Sequence, residues 1–259
     1  MLLGEPPPSQ GDIHFRLIGM PVRIHPFFWV TTLILGMGTG STPPAVVFSW
    51  IVAVLFSILV HEMGHAAVQR RYGGHPKIVL YGLGGLSICD DCDRSSAAQI
   101  FISLAGPGAG FLFAAALLLL VRAVGHQAGC VLLGELPLER LGLLQARVMD
   151  ILGAKFYWKP FVSPHVDRMI GNLLYINLLW GAVNLLPIYP LDGGRISREI
   201  CLTGNPRRGM VLSMRISLAF AALMAVVGLS WGSWFVALFF GYLAYTSYRT
   251  LQAYQASLW

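Results

Sequence analysis

The chain has few charged residues. Asp, Glu, Lys and Arg make up 12% of its 259 residues, roughly half the share usual in soluble globular domains. Hydrophobic residues make up 56% and the mean hydropathy is +0.65. This composition excludes an ordinary soluble domain and predicts an integral membrane protein.

Targeting and nucleic-acid signals are also missing. Residues 1–8 contain no basic residue and no long apolar run, so we expect no cleavable signal peptide. No stretch has the composition of an appended soluble domain. The formal net charge is +6, but the Lys and Arg residues are dispersed between apolar segments rather than gathered on one face. We therefore expect no nucleic-acid partner.

Six apolar segments predict about six transmembrane helices, the first and last shorter than the ~20 residues of a straight span. They cover residues 26–37, 44–60, 97–121, 169–188, 216–230 and 234–245. The expected fold class is an all-α polytopic membrane protein with one short membrane-associated β segment. Residues 1–25 are predicted as a cytoplasmic or interfacial segment, 26–250 as the membrane core, and 251–259 as a C-terminal tail.

Between the third and fourth segments lies a long predicted outer loop, about residues 122–168. Apolar residues recur there at helical spacing and predict an interfacial amphipathic helix. They are Leu138, Leu141, Leu144, Val148 and Ile151.

Basic residues indicate the orientation of the chain. With six spans, both termini share one side, and that side receives twelve of the 18 Lys and Arg residues. The positive-inside tendency therefore predicts cytoplasmic termini and a cytoplasmic opening of any site near the basic loops, in a multi-pass protein of the plasma membrane.

Cysteine is scarce, with four residues in the chain. Cys89 and Cys92 form a C-x-x-C pair in a predicted cytoplasmic loop, for which a second zinc site and redox control both stay open. Cys130 and Cys201 fall on opposite predicted sides. We therefore expect no disulfide framework.

The run His61-Glu62-Met63-Gly64-His65 follows the second apolar segment. Two histidines four residues apart share one helix face, so both imidazoles can bind one metal while the glutamate beside them acts as a base. Ionisable side chains at membrane depth usually mark a functional site. The alternative is a pair of histidines with polar partners in a helix bundle.

A hydrolytic zinc site commonly has three protein ligands and leaves one position for water. The best candidate for the third ligand is Asp192, in the run from Asn184 to Gly194, where prolines and glycines break the helix. The alternative is an ordinary Asp-Gly turn.

These two motifs, together with Ser103-Leu104-Ala105-Gly106-Pro107, resemble the site-2 protease family of intramembrane zinc metalloproteases. They occur in the family's order and cover about residues 45–200. The resemblance implies regulated intramembrane proteolysis of transmembrane protein substrates in the lipid bilayer, with a regulatory membrane partner as a further possibility.

The resemblance also implies roles for individual residues. One catalytic Zn²⁺ would be bound by His61, His65 and Asp192. Glu62 matches the catalytic glutamate, and Asn184 matches an asparagine proposed to orient substrate or stabilise the oxyanion.

A further resemblance concerns residues 77–87, which carry three glycines and suit a short hairpin or re-entrant strand. They resemble the family's membrane-associated β segment. An exposed strand edge there could pair with an extended substrate, and a mere packing loop is the equal alternative.

Two other functions stay open. A membrane zinc transporter or sensor would bind metal without needing Glu62, and a catalytically silent scaffold would not need an intact site. The complete set of predicted site residues favours the zinc metalloendopeptidase.

Overall fold

The computed structural model describes residues 5–38, 42–82, 84–132, 134, 136 and 145–256. The described chain is mostly helical. Its helices are α1 Pro26–Met37, α2 Pro44–Arg71, α3 Ser96–Ala123, α4 Pro164–Tyr175, α5 Gly181–Asn184, α6 Asp192–Leu202, α7 Pro206–Ser230 and α8 Trp234–Ala256. A π-helical segment, Ile176–Trp180, joins α4 to α5.

Three helices are long and apolar enough to cross a bilayer. They are α2 and α3, with 28 residues each, and α7, with 25 residues. The predicted membrane character is thereby confirmed. The predicted segment 169–188 forms a shorter and less regular stretch, because the π-helical segment interrupts it and prolines follow it.

The expectation of an all-α fold with a single β segment is wrong in its β content. Two sheets are described, with strands β1 Ile13–Leu17, β2 Met20–Ile24, β3 Lys77–Tyr81, β4 Gly84–Ile88, β5 Ala128–Val131, β6 Arg147–Ile151 and β7 Ala154–Trp158. Strands this short leave little periodicity in the sequence, and long apolar helices dominate the hydropathy pattern.

The first sheet has the order β1-β2-β3-β4, in which β2 and β3 run parallel and the other neighbours antiparallel. The predicted hairpin within residues 77–87 is confirmed as β3 and β4. Apolar side chains of β2 and β3 pack in one core with Ala53, Val54 and Ile58 of α2. This packing fixes the sheet on α2 and leaves β4 at its edge.

The second sheet, of order β5-β7-β6, corrects the predicted outer-loop helix. Val148 and Ile151 lie in β6, and Leu138, Leu141 and Leu144 lie outside the described residues. A tight turn at Leu152 and Gly153, both with positive φ, joins β6 to β7. This turn favours a hairpin over the helix that the apolar spacing predicts.

The loop after β4 holds a disulfide between Cys89 and Cys92, contrary to the expectation of none. Gly74 lies against both sulfur atoms, where a side chain would not fit. His75 donates to the Asp91 carboxylate through Nδ1 at 2.6 Å and through its backbone N–H at 2.9 Å. These hydrogen bonds hold the pKa of the Asp91 carboxyl below its usual value. Cys130 and Cys201 are free.

Helices α2 and α3 approach each other closely at Gly64. A Cβ atom there would overlap the Ala105 carbonyl oxygen and lie 2.7 Å from the Ala109 Cβ. Because α2 carries the HExxH motif, this contact determines how near α3 lies to it.

We predict that Gly64→Ala lowers the free energy of unfolding by about 1–3 kcal/mol, because the added methyl group forces α2 and α3 apart. Gly241→Ala in α8 is the matched control, since no atom lies within 4 Å of its added Cβ. Thermal unfolding in detergent, followed by circular dichroism, compares the two variants. Equal stability of both would contradict the close contact.

Candidate active site

Helix α2 buries one polar stripe along its length. Residues four apart share a helix face, and Ser49, Ala53, Ser57, His61, His65 and Gln69 are all buried. Glu62, next to the stripe, is also buried. The helix therefore directs His61, Glu62 and His65 toward protein, where other polar groups can meet them.

Asp192 reaches the same place from the start of α6. The two glycines that follow it bring α6 onto the preceding loop: a Cβ at Gly193 would overlap the Leu185 carbonyl, and one at Gly194 would overlap Ile188. The loop is itself held, because the Tyr189 backbone N–H donates to the Ser217 hydroxyl at 2.8 Å. Close packing of a broken helix thus turns the carboxylate inward.

Three donor atoms converge at this point. His61 Nε2 lies 3.1 Å from Asp192 Oδ2, His65 Nε2 lies 3.3 Å from the same oxygen, and the two Nε2 atoms are 3.1 Å apart. A tetrahedral zinc ion with bonds of ~2.0–2.1 Å holds its ligand atoms about 3.3–3.4 Å apart. These three atoms, one each from His61, His65 and Asp192, form what we call the donor triangle. The donor triangle fits one metal ion, and its three residues form a group that could bind it.

The ring of His65 is oriented by helix α3. Its Nδ1 lies 2.7 Å from the Ile102 carbonyl oxygen, to which it can donate. When Nδ1 carries the proton of this hydrogen bond, Nε2 has a free lone pair that can bind a metal. This is the usual arrangement of a metal-binding histidine. Gly106, one turn along α3, lies against Nε2 of both histidines. The motif at residues 103–107 thus contributes directly to the site.

Glu62 lies under the edge strand of the first sheet. A Cβ at Gly85 of β4 would lie 2.7 Å from the Glu62 Cδ and Oε1 atoms. Glu62 also interacts electrostatically with His61, His65 and Asp192. The glutamate therefore lies directly against β4, and only a glycine at this position of the strand leaves it room.

Asn184 is buried at the end of α5. Within the described residues, its side-chain amide makes no hydrogen bond to protein. The structure therefore ties this amide to no protein partner, and its role stays a prediction.

Comparison with known proteins identifies the family. The model of peptidase family M50 matches residues 49–225, which is more than half of the chain. The chain belongs to peptidase family M50. The matched region contains all five predicted site residues, and the predicted resemblance to site-2 proteases is thereby confirmed.

The chain is also similar to individual proteins. Zinc metalloprotease MJ0392 of Methanocaldococcus jannaschii is 25% identical over 220 residues, which cover 84% of this chain and 52% of that protein. Stage IV sporulation protein FB of Bacillus subtilis is 25% identical over 238 residues, covering 89% and 67%. The chain thus spans about half the length of MJ0392.

The fold is similar to that of the site-2 protease from Methanocaldococcus jannaschii, with a TM-score of 0.57 and 21% sequence identity. The match covers 93% of this chain and 95% of that one. The likeness in fold therefore extends over nearly the whole chain.

We predict that Gly106→Ala prevents metal binding, because its methyl group would occupy the space beside Nε2 of His61 and His65. Gly108→Ala, two residues along α3, meets no atom within 4 Å and is the matched control. Metal content of the purified variants by inductively coupled plasma mass spectrometry is the measurement. Full metal occupancy in Gly106→Ala would contradict the geometry described here.

Proposed function

We propose that this chain is an intramembrane zinc metalloprotease that hydrolyses a peptide bond within or near a transmembrane segment of its substrates. The observation that carries this proposal is the donor triangle of His61, His65 and Asp192 with Glu62 beside it. Two of its members lie on α2, a helix apolar and long enough to cross a membrane. A metal site with an adjacent carboxylate at membrane depth suits hydrolysis there.

The proposed roles follow from the chemistry of each group. His61, His65 and Asp192 bind the metal, as two neutral imidazoles and one carboxylate. A zinc ion held there would polarise the scissile carbonyl and lower the pKa of a bound water toward ~7. Glu62 accepts the proton of the attacking water and passes it to the leaving nitrogen. No covalent bond forms between substrate and protein.

Asn184 is proposed to donate its side-chain amide to the substrate carbonyl oxygen. Its burial, together with its lack of a protein hydrogen bond among the described residues, supports this role, because an amide without a protein partner is available to a ligand.

Asn184→Leu should then lower kcat while zinc binding stays unchanged. An unaltered kcat would refute the assignment.

The proposed substrate presents itself as an extended strand. A transmembrane helix has its amides already hydrogen-bonded in a medium that penalises unpaired groups. It must unwind before hydrolysis, and strand β4 is the edge of its sheet, where unpaired backbone groups can receive an added strand. Gly85 places β4 directly over Glu62. A strand added to β4 would therefore lie near the catalytic glutamate.

The topology is part of the same proposal. Helices α1 and α8, and the stretch from α4 to α5, would complete about six spans beside α2, α3 and α7. Arg70 and Arg71 at the end of α2, and the basic residues of α6, support a cytoplasmic opening and cytoplasmic termini in the plasma membrane. Cysteine accessibility labelling at the two termini tests this orientation, and labelling from the outer face alone would refute it.

We predict that Glu62→Gln abolishes cleavage, with a loss of at least about 100-fold, because it removes the proton acceptor. The amide has nearly the same size as the carboxylate, so the variant should retain its zinc. The measurement compares membrane proteomes of cells expressing the native protein or Glu62→Gln, with new termini mapped by mass spectrometry. Matching termini in both, with zinc bound in both, would favour a zinc transporter, a zinc sensor or a scaffold.

We predict that Gly85→Ala reduces cleavage by about 100-fold, since displacement of a catalytic group by ~1 Å can cost that much. The control is Gly84→Ala, because no atom lies within 4 Å of its added Cβ. Cleavage of a substrate found in the proteome comparison gives both rates. Similar rates for the two variants would show that β4 does not position Glu62.

A further inference from the structure

The side-chain amide of Asn177, on the π-helical segment, is buried and only partly satisfied. Its Nδ2 donates to the Ser57 hydroxyl and to the Leu173 carbonyl oxygen, both at 2.8 Å. Its Oδ1 has no hydrogen-bond partner in the described parts of the chain. A buried acceptor without a protein partner is rare in a folded protein, and an ordered water commonly donates the missing hydrogen bond.

The orientation of this amide is determined by its neighbours. Rotating it by 180° would place Oδ1 against the Leu173 carbonyl, so two acceptors would face each other without a proton between them. Oδ1 is therefore the atom that is left without a protein donor. It needs a donor from outside the surrounding protein.

A cavity of about 10 Å³ lies beside this amide, lined by Ser57, His61, Gly110, Asn177 and Trp180 among others. Its size is close to the ~10–15 Å³ that one water molecule needs. Gly110 of α3 helps to keep the space open, since a Cβ there would lie 3.3 Å from Asn177 Oδ1. The cavity joins the unsatisfied amide oxygen to a member of the donor triangle.

The two histidines of the donor triangle differ in the hydrogen-bond partner of their Nδ1 atoms. His65 has the Ile102 carbonyl as the partner of Nδ1, at 2.7 Å. His61 has its Nε2 in the triangle, and its Nδ1 has no hydrogen-bond partner among residues whose structure is described. Metal-binding histidines almost always donate the second ring N–H to a carboxylate, a carbonyl or a water. Because His61 lines the cavity, a water held there is the candidate for this partner.

We propose that one ordered water occupies this cavity, accepts a hydrogen bond from His61 Nδ1 and donates one to Asn177 Oδ1. Asn177 is then a positioning residue for the metal site, and Ser57 orients its amide. The inference rests on the proposed role of His61 as a metal ligand. A single water thus gives a hydrogen-bond partner to both His61 Nδ1 and Asn177 Oδ1. It also fixes the proton of His61 on Nδ1, so that Nε2 is free to bind the metal.

The π-helical segment explains how Asn177 reaches this position. A π-helical turn is wider than an α-helical turn and holds one more residue, and such segments occur frequently at functional sites. Ile176–Trp180 contacts both α2 and α3. The wider turn thus brings an amide from the α4–α5 stretch to the buried stripe of α2.

The chain contains a matched control for this proposal. Asn172 of α4 also donates its side-chain amide to a serine of α2, with Nδ2 3.4 Å from the Ser49 hydroxyl. Both asparagines therefore link α2 to the stretch from α4 to α5 by a hydrogen bond between an amide and a hydroxyl group. Only Asn177 lines the cavity beside His61. An effect due to helix association should appear in both variants, whereas an effect on His61 should appear in one.

The test measures zinc affinity by competition with a chelator in the purified native protein, Asn177→Leu, Ser57→Ala and Asn172→Leu. We expect zinc binding about 10-fold weaker or more in Asn177→Leu, an intermediate loss in Ser57→Ala, and native affinity in Asn172→Leu. Cobalt substituted for zinc should show altered d–d absorption bands only in Asn177→Leu and Ser57→Ala. Equal losses in Asn177→Leu and Asn172→Leu, or native affinity in Asn177→Leu, would overturn the proposal.

Two further comparisons keep the outcome decisive. If Asn177→Leu does not fold, Ser57→Ala carries the test, because it removes a single hydroxyl group; native affinity and native cobalt bands in it would then overturn the proposal. His61→Ala tests the assumption beneath it. Unchanged zinc affinity in His61→Ala would refute the ligand assignment itself, whereas lost affinity there with native affinity in Asn177→Leu refutes only the water site.

Discussion

The cost of burying ionisable groups governs this structure. His61, Glu62, His65 and Asp192 are all buried away from solvent, so each polar atom needs a partner within the protein or a bound ion. Helix α2 meets this requirement by collecting its polar residues on one stripe, and α6 brings the carboxylate to the same point. A metal ion in the donor triangle would satisfy three of the four groups at once.

The surrounding elements are shaped by how closely they must cover that cluster. Glycine occurs where backbone meets the site: Gly106 lies against the two imidazoles, and Gly85 of β4 lies against Glu62. The loop before Asp192 is fixed at its far side by Ser217, which also shares a hydrogen bond of 2.8 Å with Ser247 of α8. Even helices distant from the donor triangle therefore contribute to its geometry.

The spacing of His61 and His65 predicted a shared metal site from the sequence, because residues four apart lie on one helix face. Asp192 was only the best candidate for the third ligand until the family resemblance was added, since an Asp-Gly turn fits the same residues. The sequence did not predict β6, because the apolar spacing around residues 148–151 fits a helix as well as a strand. The turn at Leu152 and Gly153 is what makes this segment a hairpin. The cavity beside His61 was also missed. One signal was available: Ser57 lies four residues before His61, on the same helix face. The wider π-helical turn that brings Asn177 to it leaves no clear pattern.

The proposed hydrolysis requires one zinc ion bound by His61, His65 and Asp192. Zinc K-edge X-ray absorption of the purified protein, with the metal content measured on the same sample, tests it most directly. We expect one zinc per chain with two imidazole ligands, oxygen ligands and no sulfur, and loss of the metal in His65→Ala. Zinc bound through sulfur would place the metal at cysteine side chains, away from His61, His65 and Asp192, and would refute this assignment.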